Sequence, residues 1–387
     1  MTGLYVDREQ TRAKHFILEH YLQELAFKVL QGGLNELAYI DGFSGPWKSR
    51  AADHSDTSFM IAIRVLKDVQ KRIMELRGQR KIIRCFFVEE DAAAYAKLAA
   101  AVAPHHHPEG GFIIETRQGR FQDFVPDALH FNGRAFPLIF IDPTGWTGYP
   151  FEVIRPLLKR RPSEVLINFM FDHINRFAAS DDPPTVASLG EILGGANWRD
   201  TLDPNLPRGI AVEQLFRDVL RREGGYDAVL STCIDRSLQD RPHFFIVYGT
   251  RHAEGVRTFR NVEYKALSEH EKLRQDAKNR KQTERSGMAD LFGGPTVPDV
   301  KSLDTIIAEL RGFASNWIVE VLRANGSYQF EPLALAVMQT FMLRETDVKD
   351  VCVALAQKGV ITDTWKPERK RKPSKHHVIA LAGPIQP

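Results

Sequence analysis

Three acidic residues in this chain each follow a short apolar run: Asp41 after Leu37-Ala38-Tyr39-Ile40, Glu89 after Ile82 to Val88, and Asp142 after Phe136 to Ile141. Carboxylates so placed accept hydrogen bonds from hydroxyls or amines, and they can take a proton from a reacting atom. The residues that follow sharpen the chemistry. Asp41-Gly42-Phe43-Ser44-Gly45-Pro46 is a glycine-containing turn, where a missing Cβ lets backbone approach a ligand closely. Glu89-Glu90-Asp91 offers carboxylates for the two hydroxyls of a ribose, Glu89 first and Glu90 second. Asp142-Pro143-Thr144-Gly145-Trp146 joins an acid to an indole on which a planar substrate can stack. Phe121 suits packing on a purine or on the core, and Phe43, Trp146 and Phe169 are candidates to sandwich a base. Plainer readings stand beside these: an ordinary strand-to-helix turn, an acidic helix cap with Asp91 as N-cap, and a Pro-Gly turn with Trp146 folded over the core.

Buried strands with both faces covered read as continuous apolar runs, and such runs position these acids. Leu37 to Ile40, Ile82 to Val88, Gly111 to Glu115, Phe136 to Ile141 and Val165 to Phe171 are the expected strands, followed by Ala228 to Ile234 and Phe244 to Tyr248. Only a short polar segment separates the last two, which predicts an antiparallel pair. Between the strands, helical spacing of apolar residues predicts helices over Arg8 to Leu30, Ser58 to Leu76, Ala92 to Ala103 and Ile210 to Arg222. The fold class expected is therefore α/β, a Rossmann-like sheet whose ligands bind outside the strands' carboxyl edge. Asn168 interrupts an apolar run and must satisfy its amide, either as a tie between loops or as a substrate contact. Residues 180–225, rich in Pro, Gly and Asp, are expected to be a cap or substrate-selecting insertion.

The first domain is expected over 1–256, a charged helix and linker over 257–299, and a second domain over 300–387. In the latter, helical patterns at Leu303 to Leu310, Ser315 to Leu322, Pro332 to Phe341 and Thr346 to Lys358 precede two short strands, Val360 to Trp365 and His377 to Leu381. Helices followed by a hairpin make a winged-helix pattern. Its tip carries Arg369, Lys370, Arg371, Lys372 and Lys375, which suit tracking of nucleic-acid phosphates or a solvated loop equally well.

Composition is that of a globular protein, with 43% hydrophobic and 26% charged residues among 387, and the net charge of +3 is too small to imply a partner. MTGLYVDREQ has no secretory pattern and no run is long enough to span a membrane, so a cytoplasmic location without membrane contact is expected. Cys85, Cys233 and Cys352 read as small core residues. Three adjacent imidazoles at His105-His106-His107 cannot easily all face one ion, so no metal is expected there.

The strand order, the Asp-Gly turn and the acids after strands two and four resemble a class I S-adenosylmethionine-dependent methyltransferase. More closely, DGFSGP at Asp41 to Pro46, FVEED at Phe87 to Asp91, IDPTGW at Ile141 to Trp146, INFM at Ile167 to Met170 with INRF at Ile174 to Phe177, and RKRKP at Arg369 to Pro373 resemble the three-Cys-motif partner family, TcmP. The resemblance implies S-adenosylmethionine as cofactor and a three-Cys-motif protein, itself resembling radical S-adenosylmethionine enzymes, as partner. It implies that Asp41, Gly42, Ser44 and Gly45 hold the cofactor's amino acid moiety, that Glu89 holds its ribose, and that Asp142, Pro143 and Trp146 sit beside the transferred methyl. Trp47 stands where a small residue is usual, and Arg120 where many relatives have an acid. Two functions follow as expectations: a methyltransferase acting on nucleic acid or a modified nucleotide, and a non-catalytic partner subunit that binds cofactor or nucleic acid.

Overall fold

The computed structural model describes residues 2–45, 49–286 and 301–383. The chain divides into two compact units, Met1–His252 with Lys272–Gly287, and Ala253–Glu271 with Met288–Pro387. In the first unit the elements run α1 (Glu9–Gln31), β1 (Glu36–Asp41), α2 (Ser58–Arg77), β2 (Ile82–Glu89), α3 (Ala92–Val102), β3 (Phe112–Gln118), α4 (Val125–Asn132) and β4 (Phe136–Ile141). They continue with α5 (Phe151–Leu158), β5 (Glu164–Phe169), α6 (Phe171–Phe177), α7 (Pro183–Leu193), α8 (Arg208–Gly224), β6 (Ala228–Asp235) and β7 (Pro242–Thr250). The seven strands form one sheet in the order β3-β2-β1-β4-β5-β7-β6, parallel except for β7, which is antiparallel to both its neighbours. This is the mixed, Rossmann-like α/β sheet expected.

Alternate residues of each strand feed two separate cores. Tyr39, Phe87 and Phe140 face one way, where Phe59 of α2 meets Phe87 edge-on. Ile40, Phe86, Ile139, Ile141, Ile167 and Val247 belong to the other, packed with Ile154 and Leu157 of α5. The segment 180–225 was expected to cap the sheet edge. Instead Leu189 and Ile192 of α7, Trp198, and Val212, Phe216 and Leu220 of α8 lie fully inside this second core. Side chains this large and apolar favour a layer of the fold over a lid, each stabilising by about 1.5–3 kcal/mol when buried.

Two strand limits also differ from expectation. β5 stops at Phe169 because Phe171 already opens α6, and the apolar run continues through the junction. At the other end of the sheet, β3 runs on to Gln118. It is an edge strand, where Glu115 and Arg117 pair with each other in solvent.

α9 (Ala253–Ser286) contributes to both units. The second unit continues with α10 (Leu303–Asn325), β8 (Ser327–Gln329), α11 (Phe330–Thr340), α12 (Glu345–Gln357) and β9 (Val378–Ala380). Two helices were expected where α10 is one. Gly312 does not break it, because an interior glycine costs only about 1 kcal/mol and the buried stripe Ala314, Ile318, Leu322 offsets that. β9 pairs with β8, while the expected strand at Val360 to Trp365 is reduced to a single bridge, Ile361 to Leu381. Among the described residues no helix is long and apolar enough to cross a membrane.

Candidate functional site

The register of the parallel strands brings the acids to one edge. Asp41 lies opposite Phe87 of β2 and Phe140 of β4, so Glu89 and Asp142, each two residues further on, emerge beside the turn that follows β1. A cleft opens there, lined by Gly42 and Phe43 from that turn, Glu89 and Glu90, Gly119 to Phe121, Pro143 to Gly145, and Thr147 with Gly148. Six of the expected residues, Gly42, Phe43, Glu89, Glu90, Phe121 and Pro143, thus share one wall system. The cleft holds ≈ 110 Å³, under the roughly 300 Å³ at which small-molecule pockets ordinarily begin.

Beneath the cleft, the turn after β1 is tied to the protein itself. Asp41 is fully buried, accepting from Phe43 N–H at 3.0 Å, Ser58 Oγ at 2.9 Å and Tyr39 OH at 3.3 Å. Burial raises its carboxyl to about 6 against the lowering effect of the Phe43 and Ser58 hydrogen bonds. Ser44 donates its Oγ to Asp41's carbonyl at 3.0 Å and its N–H to Val88's carbonyl at 2.9 Å, and Gly42 N–H donates to Phe140's carbonyl at 3.2 Å. Asp41 and Ser44 therefore shape the turn from below, and Gly45 follows half-buried. Gly42 is required by packing: a Cβ there would lie 2.6–2.8 Å from the Phe121 ring. Pro46 and Trp47 lie outside the described residues.

On the β2 side Glu89 is buried, and its Oε1 accepts from Asp91 N–H at 2.7 Å, while Glu90 is exposed. Asp91 in turn caps α3 by accepting from Ala94 N–H at 2.7 Å. Arg120, noted above as a departure from the resembled family, forks onto Asp123 at 3.1 Å with two nitrogens. That turn therefore does present a carboxylate, three residues on.

Asp142 has two partners that its own sequence neighbourhood does not suggest. Lys14 of α1 makes an ion pair with Oδ2, and Asn168 of β5 donates Nδ2 to Oδ1 at 2.7 Å. Asn168 is thus a tie between strand ends, and its buried Oδ1 has no hydrogen-bond partner. Lys14 was missed because its partner is 128 residues away and a lysine on an amphipathic helix carries no local signal. Trp146 does not line the cleft. Its indole N–H donates to Ser188 Oγ at 2.9 Å and its ring packs 5.0 Å from Phe177. Phe169 is not a site residue either: it is fully buried 4.3 Å from Phe216.

In the second unit the basic segment is largely paired. Lys370 meets Glu368 at 2.8 Å, Lys372 meets Asp350, and Lys375 meets Glu331 at 3.2 Å. Arg369 and Arg371 are exposed and make no ion pair among the described residues. Glu368, His376 and His377 lie close enough together to hold an ion. Nδ1 of His377 accepts from Ser374 N–H at 2.8 Å, and its Nε2 stands 3.3 Å from Glu368. The imidazoles of His105 and His106 serve separate contacts, with Lys67 and Ile114 N–H respectively.

No family model matches the chain and no curated protein matches it. Among solved structures it is similar to the O-methyltransferase TomG from Streptomyces achromogenes, involved in tomaymycin synthesis and crystallised with SAM. That likeness has 15% identity and a TM-score of 0.30, over 60% of this chain and 79% of that one. It is also similar to protein LPL1258 from Legionella pneumophila, of the family model DUF519, at 10% identity and a TM-score of 0.31, over 61% of this chain and 85% of that one. With likenesses this distant, the fold rests on the strand order itself.

Proposed function

We propose that the protein is an S-adenosylmethionine-dependent methyltransferase acting on nucleic acid or a modified nucleotide. One observation carries this reading: the turn after β1, the carboxylate ending β2 and the Asp-Pro turn after β4 converge on one cleft at the sheet's carboxyl edge. The donor set suits the cofactor, with Glu89 and Glu90 for ribose hydroxyls and Phe43 with Phe121 as aromatic walls for adenine. The volume of ≈ 110 Å³ is smaller than such a cofactor needs, so this reading requires the cleft to open on binding. When bound, the cofactor supplies an electrophilic methyl, so no side-chain nucleophile is needed. Asp142 orients the acceptor and takes its proton, while Lys14 and Asn168 fix the carboxylate's position, where small displacements cost large factors in rate.

The order of motifs supports membership of the TcmP family and, with it, a three-Cys-motif, radical-SAM-like protein as partner. A winged-helix reading of the second unit is supported by the order α10-β8-α11-α12-β9, in which β9 returns to pair with β8, and wing contact with nucleic acid by exposed Arg369 and Arg371.

A second reading, a non-catalytic binding subunit, is favoured by the closed cleft and by the turn's N–H groups, which are spent on Phe140, Asp41 and Val88. Calorimetric titration with S-adenosylmethionine and S-adenosylhomocysteine separates the two. Micromolar binding that weakens at least about tenfold in Glu89→Ala, equivalent to about 1.4 kcal/mol, is the expected result. No binding to the wild-type chain, or equal binding to the variant, would overturn the methyltransferase reading.

A further inference from the structure

The hairpin between β6 and β7 and the short helix α6 meet at one buried acid. Asp172 is almost fully buried and pairs with Arg236 through one oxygen and with Arg241 at 2.9 Å through the other, while His243 stands 3.6 Å away. Arg236 N–H donates to Arg241's carbonyl at 3.0 Å, so both guanidiniums rise from one rung of the hairpin. The hairpin's own acids, Asp235 and Asp240, both face Arg274. One turn along α6 from Asp172 is Arg176, and the first turn of α8 lies against α6, since a Cβ on Gly209 would sit 2.6 Å from Phe171. Arg208 begins that turn. Arg176 and Arg208 are exposed and make no ion pair among the described residues. At this corner two of the four arginines share one carboxylate and the other two pair with none among the described residues.

The corner adjoins the proposed catalytic edge. β7 pairs Phe245 with Phe169 at the end of β5, so the hairpin projects past the same edge at which Asn168 holds Asp142. Next to Arg176, Phe177 is 37% exposed and carries the Trp146 indole at 5.0 Å, an aromatic platform beside the arginines. Arginine forks match phosphate oxygens two at a time, and aromatic faces accept any base. We infer that this corner is the docking site for a single-stranded nucleic acid that presents its methyl acceptor to Asp142. Phosphodiesters would lie on Arg176, Arg208 and Arg241, and a base would stack on Phe177. The inference rests on the reading of Asp142 as the catalytic acid-base group, and it moves the principal nucleic-acid contact from the largely self-neutralised basic segment to the catalytic unit.

The test is fluorescence anisotropy of a labelled single-stranded oligonucleotide with the full-length chain, at several salt concentrations. Arg176 and Arg241, 58% exposed at its side chain, are replaced, while Arg236 is kept to hold Asp172. In Arg176→Gln/Arg241→Gln the affinity should fall at least about tenfold, and the slope of log affinity against log salt should shrink by roughly 1.4, about 0.7 for each phosphate contact. Phe177→Ala should lose about tenfold with an unchanged slope. Arg369→Gln/Arg371→Gln should change the affinity less than the corner variant does. Unchanged affinity and slope in the corner variant would overturn the inference. So would a mononucleotide that binds as tightly as the oligonucleotide, which would indicate a single-phosphate ligand, or polyglutamate that competes equally, which would indicate an acidic protein. Cofactor titration of the same variants is independent: oligonucleotide binding that depends on the arginines without cofactor binding would leave the docking site standing and remove the methyltransferase reading.

Discussion

Asp41 shows how one residue can serve a turn at a cost that pH reveals. Its carboxyl is fully buried and pushed up to about 6, against about 3.9 in an unfolded chain, so the folded state holds this proton more tightly. The stability this contributes is complete below about pH 4 and is lost as pH rises through about 6, amounting to about 3 kcal/mol. Asparagine keeps an acceptor for Phe43 N–H and an amide that can meet Ser58 and Tyr39, but it carries no ionisable proton. Between pH 4 and 7 the urea midpoint of the wild type should therefore fall relative to that of Asp41→Asn. Parallel pH profiles would mean that folding leaves the proton affinity of this carboxyl unchanged. The same residue shows what sequence can tell: an acid followed by glycine at a strand end announced a turn, but which of its groups face the ligand and which face the protein depends on Ser58 and Phe121, which arrive from distant segments.

At the scale of elements, hydropathy was a good guide where burial alone decides. β2 and β4 are apolar because both faces are covered, and their limits match the runs in the sequence to within a residue. It was a poor guide where one environment passes into another without a change of polarity, as from Phe169 through Met170 to Phe171, and where a strand has too little apolar content to register, as in Ser327-Tyr328-Gln329. α8 was expected as a helix, but loop-like Pro and Gly before it masked α7 and placed the whole segment in a cap rather than in the core. The start of α12 depends on polar ties rather than on hydropathy. Asp347, fully buried, accepts from Arg344 N–H at 2.9 Å, from the Arg344 guanidinium and from Arg311 at 2.5 Å. Asp347→Ala removes the acceptor for one backbone donor and takes the carboxylate from two guanidiniums, that of Arg344, stacked 3.6 Å over Tyr264, and that of Arg311, which keeps only Asp350 at 3.3 Å. A loss of about 2–4 kcal/mol is expected. Hydrogen exchange of the α12 amides should quicken about thirtyfold or more, and protection equal to wild type would show that the helix start is held by packing alone.

The whole molecule carries one buried reporter of each unit's integrity. Cys85 lies in β2, between β3 and β1, at 0% exposure, and Cys352 lies in α12 at 0% exposure. Burial raises both thiols, that of Cys352 to about 12, so neither is a thiolate at neutral pH in the folded state. Reaction with a thiol reagent needs access as well as ionisation, and each cysteine should label only when the core around it opens. The two cores differ in size. The first unit buries a seven-stranded sheet on both faces, whereas the second rests on the packing of a few helices, and smaller units bury a smaller share of their surface. Peptide-resolved labelling across a urea series should therefore find Cys352 modified at lower denaturant than Cys85, with Asp347→Ala shifting the Cys352 midpoint and leaving that of Cys85 in place. A single shared midpoint for the two cysteines, moved as one by Asp347→Ala, would contradict two separately cooperative cores, because the loss of one polar tie in α12 would then be felt throughout the sheet.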